Sequence, residues 1–233
     1  MTKFLLTPRI THVMIYPNGH KSLQSRRHFT NMTNTFINMK LESIAEVRSG
    51  LVLSRKQARE SSDFKYALLN LRSIHVNGHI DLKQLGVFYA TESLSACYLS
   101  QVGDVIIRLS APYTAVLIDE ATAGMVVSSN LVIIRVDRRE LLPEYLFWLL
   151  NTPKVKRSIY ENTSSNMLGA INAKYFSDFD IPALPLPKQQ KIADMNALAL
   201  KEATLLRRLA EQKERYYSFM INRIQKVEEE NLL

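Results

Sequence analysis

Cysteine is almost missing from this sequence: Cys97 stands alone among 233 residues. One thiol cannot close a disulfide within the chain or build a cysteine-based metal site, and it fits a reducing cytoplasm. Glycine is scarce too. Gly19, Gly50, Gly78, Gly86, Gly103, Gly124 and Gly169 are too widely spaced for a phosphate loop or a dinucleotide fingerprint. No apolar run approaches the roughly 20 residues that span a bilayer, and the start, Met1 to Arg9, has too short an apolar run for a signal peptide.

Catalytic patterns are missing as well. There is no Asn-Pro-Pro-aromatic segment, the usual pocket for a flipped adenine. Ser110-Ala111-Pro112-Tyr113 lacks the glycines of a nucleophile elbow. The acids are scattered, with no pair spaced for acid–base work. His75 and His79 lie four apart, but Asn77-Gly78 between them breaks a helix, so they read as surface turn histidines and not a metal pair. Cys97 reads as a buried small residue. No cofactor and no metal are expected, and the chain is read as non-catalytic.

Acidic residues are absent from one region only. Residues 1–40 hold Lys3, Arg9, Lys21, Arg26, Arg27 and Lys40 and no Asp or Glu, which accounts for most of the net charge of +8. Residues 41–186 balance 15 basic against 15 acidic side chains, so bulk charge alone does not argue for a polyanionic partner. Residues 1–38 show no sustained period and are expected to be a disordered basic leader or a mis-assigned start, the natural product beginning at Met32 or Met39. The rival reading is a basic arm touching DNA phosphates.

What is present begins with short apolar runs. Tyr66 to Leu71, Val105 to Leu109, Thr114 to Ile118, Met125 to Val127 and Leu131 to Val136 read as strands, with turns at Asn77-Gly78 and Gly103-Asp104. Because these runs are almost continuously apolar, the sheet is expected to be covered on both faces or strongly curved. The period then becomes helical over Pro143 to Leu150, with Pro143 in the first turn. A second helix is expected from Lys154 to Tyr160, then a polar loop from Glu161 to Gly169. One helical turn capped by Asn172 follows, and then an edge strand over Asp180-Ile181-Pro182.

The chain is organised around Ile181-Pro182-Ala183-Leu184-Pro185-Leu186-Pro187-Lys188-Gln189-Gln190-Lys191-Ile192-Ala193. Its prolines exclude a helix interior, but Pro187 suits a first helical position. From there to about Val227 neither Pro nor Gly interrupts, predicting a rod of roughly 60 Å. Ile192, Met195, Ala199, Leu206, Leu209, Tyr216, Met220 and Val227 approach a heptad seam, interrupted by Glu202, Lys213 and Arg223, which suits pairing with a partner helix.

That stretch resembles the "iPlPplpeQqkIa" junction of Type I restriction-modification specificity (S) subunits. Leu41 to Leu51, Leu69 to Ile74, Gly103 to Ile107, Ser128 to Asn130, Leu142 to Leu146 and Leu168 to Asn172 resemble further motifs of that family, in its order. Lys188 replaces the family's usual Glu. The resemblance implies an α+β fold: a mixed-sheet target recognition domain over residues 39–186, followed by one long C-terminal helix, a coiled-coil spacer arm, over residues 187–229. It implies a non-catalytic DNA-recognition subunit whose partners are double-stranded DNA, methyltransferase (modification) subunits and a motor-endonuclease subunit. A full-length S subunit has two such domains and two spacer helices, so this chain resembles half of one. The resemblance therefore implies a homodimer through the helix, reading a bipartite inverted site.

Base reading needs forked donors and acceptors on exposed loops. The candidates are Arg55, Lys56, Arg59, Arg72, Arg108 and Tyr113, with Ser128, Ser129, Asn130, Asn162, Ser165 and Asn166 as polar contacts. Lys154, Lys156, Arg157 and Lys174 suit phosphates. Two alternatives remain: the recognition half of a nuclease or methyltransferase, and a helix-mediated adaptor without DNA specificity.

Overall fold

The computed structural model describes residues 38–59, 62–165 and 171–230. The leader, apart from Asn38, lies outside the described residues, as does Asn166.

The chain opens with β1 (Asn38–Lys40) and β2 (Ala45–Ser49), then β3 (Phe64–Leu69) and β4 (Gly86–Ala90). β5 (Val105–Arg108), β6 (Ala115–Leu117), β7 (Val126–Val127) and β8 (Leu131–Val136) follow. The helices α1 (Pro143–Asn151), α2 (Pro153–Ser165) and α3 (Ala173–Ser177) come next, then β9 (Asp180–Pro182) and α4 (Leu186–Glu230). The architecture is α+β, as expected. The strands form three small sheets: antiparallel β2-β8-β5-β6, mixed β4-β3-β7 and the ribbon β1-β9. The mixed character rests on β7, which runs parallel to β3.

The continuously apolar strands are explained by burial on both faces. On one face of the four-stranded sheet, Val105, Ile107, Ala115, Val132 and Ile134 pack against Tyr145, Leu146, Leu150, Ile159 and Phe176 of the helices. On the other, Ile106, Val116, Leu131 and Ile133 pack with Leu69, Met125 and Val127 of the second sheet and its flank. The two sheets touch through backbone at Gly50. A Cβ there would lie 2.3 Å from the Ser128 carbonyl oxygen, so only glycine allows this approach. Gly78, at φ +81°, makes the expected turn after Asn77.

The expected polar loop after α2 is corrected: Glu161 to Ser165 continue the helix. Asn162 Nδ2 donates to the Ser158 carbonyl (2.8 Å) and Thr163 Oγ1 to the Ile159 carbonyl (2.6 Å), so these polar side chains bond back onto their own helix. Asn172 caps α3 as expected, accepting from the Tyr175 N–H at 3.2 Å. Cys97 is half-exposed, not buried, on a 3-10 turn at Ala96–Tyr98. His75 and His79 lie at a turn, their rings stacked at 4.5 Å.

Among the described residues, the first turns of the long helix pack against the domain. Gln189 and Ala193 are buried, Ile192 packs on the helix-side core, and Asn196 and Leu200 line a cleft with Phe147 and Trp148 of α1. Ile192 therefore belongs to the chain's own core, where the sequence reading put it on a partner seam. Taking Ile192 as zero and about 100° per residue, Gln189, Ala193, Asn196 and Leu200 fall within an arc of about 40–100°. Leu198, Leu205, Leu209 and Tyr216 fall at about 220–260°, on the opposite side. They are 48–64 % exposed. Met195, Ala199 and Leu206 lie beside this stripe, at about 300–340°.

Candidate nucleic-acid interface

Several candidate residues sit on segments that backbone hydrogen bonds tie together. Leu51 N–H donates to the Val127 carbonyl (2.7 Å), Ser129 N–H to Leu51 (2.8 Å), Ser128 N–H to Leu69 (3.2 Å) and Leu109 N–H to Asn130 (3.0 Å). Arg108 Nη1 donates to the Ile74 carbonyl (3.4 Å). These bonds join the segments before Arg55, around Arg72, after Arg108 and at Ser128 to Asn130.

Within this group the side chains differ. Arg55, Arg59, Arg72 and Asn130 are exposed. Arg72 stands on an Asx turn in which Asn70 Oδ1 accepts from the Arg72 N–H at 2.8 Å. Arg108 is half-buried, and its Nε has no hydrogen-bond partner. Thr114 faces it across β5 and β6, where the Arg108 N–H donates to the Thr114 carbonyl (3.2 Å), and the Thr114 Oγ1 is also buried without a partner. Lys56 is committed: its ammonium bonds to Glu92, which holds the Lys56 pKa above and the Glu92 pKa below their ordinary values.

Two candidates of this group are buried instead of exposed. Tyr113 is buried in the helix-side core, with φ at +50°. Its Oη bonds Thr163 Oγ1 at 3.3 Å, and this anchoring holds a backbone conformation that non-glycine residues avoid. Ser128 is buried as well, and its Oγ lacks a partner. Tyr113 is held against α2, and Ser128 continues the backbone pairing beside Leu51 and Leu69. Ser129 is half-buried.

A second group lies on α2 and α3. Lys154 and Arg157 are exposed, while Lys156 is half-buried and its pKa is lowered by that burial. Asn162 and Ser165 are helical, not loop residues. Lys174 bonds Asp178 at 2.7 Å and lies 3.5 Å from Glu42, so two acids already hold it and raise its pKa, Asp178 first. A cavity of about 610 Å³ lies beside these helices, lined by Trp148, Lys154, Asn162, Tyr175, Phe179 and Asp180 among others. Tyr113 Oη links this group to the β5–β6 loop.

Sequence reasoning missed one surface. The register pairs Lys65 with Tyr89 and Ala67 with Val87, placing all four on one face of the β3–β4 pair. Lys65 Nζ stands 6.0 Å from the Tyr89 ring centroid. Val87 is 57 % exposed. The Ala58 N–H donates to the Tyr89 carbonyl (2.9 Å), tying the segment of Arg55 and Arg59 to this strand. The alternation of Lys65 and Ala67 with Tyr66 and Leu68 carried the signal, but the buried strand expected from sequence, Tyr66 to Leu71, begins after Lys65, whereas β3 spans Phe64–Leu69.

Among the described residues no group of three or more His, Cys, Asp or Glu side chains is placed to hold a metal ion. No helix among them is long and apolar enough to cross a membrane.

A mixed-sheet domain opening into one long helix has counterparts among solved structures. An HsdS subunit from Thermoanaerobacter tengcongensis superposes with a TM-score of 0.59 at 18 % identity, over 74 % of this chain and 44 % of that one. The fold is that of a Type I S subunit. A second match has a TM-score of 0.55 at 20 % identity over the same shares, and comes from work on complex assembly and conformational transition of the type I R-M system. No family model and no curated protein matches by sequence. This chain, one domain and one long helix, spans 44 % of the length of each of these two structures.

Proposed function

We propose that this chain is a half-length specificity subunit of a Type I restriction-modification complex. It reads DNA sequence and leaves methylation and cleavage to partner subunits. The observation that carries the reading is the S-subunit fold, one sheet domain leading into one long helix, over 74 % of the chain. The domain at residues 39–186 is the target recognition domain, and residues 187–229 are the spacer.

Two copies pair through their helices and present identical domains to identical half-sites, inverted about a two-fold axis. The outward stripe of Leu198, Leu205, Leu209 and Tyr216 supports this pairing, because it lies opposite the face that the domain uses. Arg55, Arg59, Arg72, Arg108 and Asn130 are the base-reading and positioning residues, and Lys154 and Arg157 contact phosphates. Lys56 and Lys174 contribute little, being held by acids.

Selection from random-sequence duplex DNA, with and without a modification subunit, tests the proposal. Enrichment of a bipartite inverted motif is the expected result. No enrichment in either arm overturns it in favour of a helix-mediated adaptor.

A further inference from the structure

α4 carries one buried polar side chain among the described residues, Gln189, which is 2 % exposed. Its amide bonds three backbone groups on two stretches of chain. Oε1 accepts from the Leu142 N–H (2.8 Å), and Nε2 donates to the carbonyls of Glu140 (2.9 Å) and Leu184 (2.8 Å). Leu142 precedes the first turn of α1, where no side chain of its own caps the helix. Leu184 lies in the proline-rich hinge, and Glu140 in the connection from β8 to α1. One side chain thus ties the spacer helix to the connection that enters α1 and to its own hinge.

We infer that Gln189 is the positioning residue that holds the spacer helix at one angle to the recognition domain. Through that angle it sets the separation at which a pair of these chains reads two half-sites. The consequence for DNA rests on the proposed function; the lock itself does not.

The remaining contacts cannot do this work alone. Pro182, Pro185 and Pro187 each fix φ and stiffen the hinge, but leave the intervening ψ angles free to aim the helix elsewhere. Ile192 and Ala193 contribute apolar packing, which is non-directional and tolerates small rotations. Three near-ideal hydrogen bonds from one planar amide are directional. Leverage makes the angle matter. From Gln189 to the end of α4 at Glu230 the helix runs roughly 60 Å at 1.5 Å per residue. A swing of about 5° moves its far end by about 5 Å, more than the roughly 3.4 Å step between base pairs.

The test uses full-length protein. Gln189→Met keeps the length and removes every directional bond. Gln189→Glu keeps an acceptor for Leu142 and loses both donors, and serves if the first variant fails to fold. Gln190→Ala is the control, since Gln190 is exposed and bonds only Asp194. Spin labels at Arg72→Cys and Glu214→Cys, with Cys97→Ala and dilution by unlabelled chain, report the domain-to-helix distance. The Gln189 variants are expected to broaden its distribution at least about twofold, as release by several degrees of the roughly 40 Å of helix between Gln189 and Glu214 implies, and the control to leave it unchanged. Unchanged width in both Gln189 variants overturns the lock.

The Gln189 variants and the control, without the labelling substitutions, then select from duplexes with randomised half-sites and gaps. Wild type is expected to enrich one gap length, and the Gln189 variants the same half-sites over several. Half-sites retained with a single unchanged gap overturn the link from Gln189 to spacing. No bipartite enrichment by wild type overturns the specificity-subunit reading, and the distance measurement still decides the lock.

Discussion

Replacing Leu198 and Leu205 with aspartate together tests the proposed pairing of two copies through α4 and the face that it uses. Leu198 is 64 % exposed and Leu205 is 54 % exposed, so a partner has more than half of each side chain left to cover. Burying a leucine fully is worth roughly 1.5–3 kcal/mol, which makes the uncovered part of each worth about 1 kcal/mol. A two-fold seam contains both residues from both chains, giving about 4 kcal/mol of burial lost in the double variant. The four introduced carboxylates add desolvation and mutual repulsion. The burial term alone corresponds to nearly a thousandfold in Kd.

Sedimentation equilibrium over a concentration series is the assay, because it returns the Kd directly. The parent is expected to sediment as a dimer and the double variant, at the same concentrations, as a monomer. Met195→Asp with Ala199→Asp is the matched comparison, since these two belong to the heptad read from sequence but lie to one side of the free stripe. A parent-like Kd for the Leu198/Leu205 variant, or a larger loss for the Met195/Ala199 variant, would refute the assignment of the seam.

Asp104→Ala is expected to lower stability by about 3 kcal/mol in urea unfolding, because it strands Arg135: the Asp104 carboxylate, 1 % exposed, accepts from Arg135 Nε at 2.7 Å and Nη2 at 2.8 Å and from the Gln101 N–H at 2.8 Å. The His79 imidazole titrates below its ordinary value, first through partial burial and then through the charge of His75. The unfolded ring takes up a proton near pH 6.5 while the folded ring still resists it, so the Tm is expected to fall as pH drops through and below that value, and His79→Gln to flatten that limb. Arg72→Ala is expected to cost about 1–3 kcal/mol of specific DNA binding and relax selection at one position, whereas Lys154→Ala should weaken all sequences alike and reduce the salt slope by about one. Filter binding over a salt series separates the two, and identical behaviour of the variants would reverse the roles given to them.

The strands were legible where burial on both faces left a run of apolar residues, as in Leu131–Val136, whose observed limits coincide with the reading. The end of α2 was not, because Asn162 and Thr163 satisfy themselves on carbonyls one turn back, and their composition alone looks like a loop. Tyr113 and Ser128 carry the chemistry of contact residues on turn-like sequence. Their burial depends on how those turns pack in the tertiary structure, which no local pattern encodes. Lys65 and Tyr89 become neighbours only through the β3–β4 register.

The long helix shows the limit most directly. Its sequence carries apolar residues on more than one phase, and periodicity cannot say which phase its own domain consumes. The bonds of Gln189 and the burial of Ala193 assign one arc to the domain. The opposite arc, with Leu198, Leu205, Leu209 and Tyr216, is the one farthest from the domain, and Met195 and Leu206, 69 % and 59 % exposed, flank it. An apolar stripe of four side chains about half exposed or more is costly to leave in water. Covering it by a second copy makes the ruler and the dimer one device, because any shift of the seam along the helix changes the distance between the two domains by about 1.5 Å per residue.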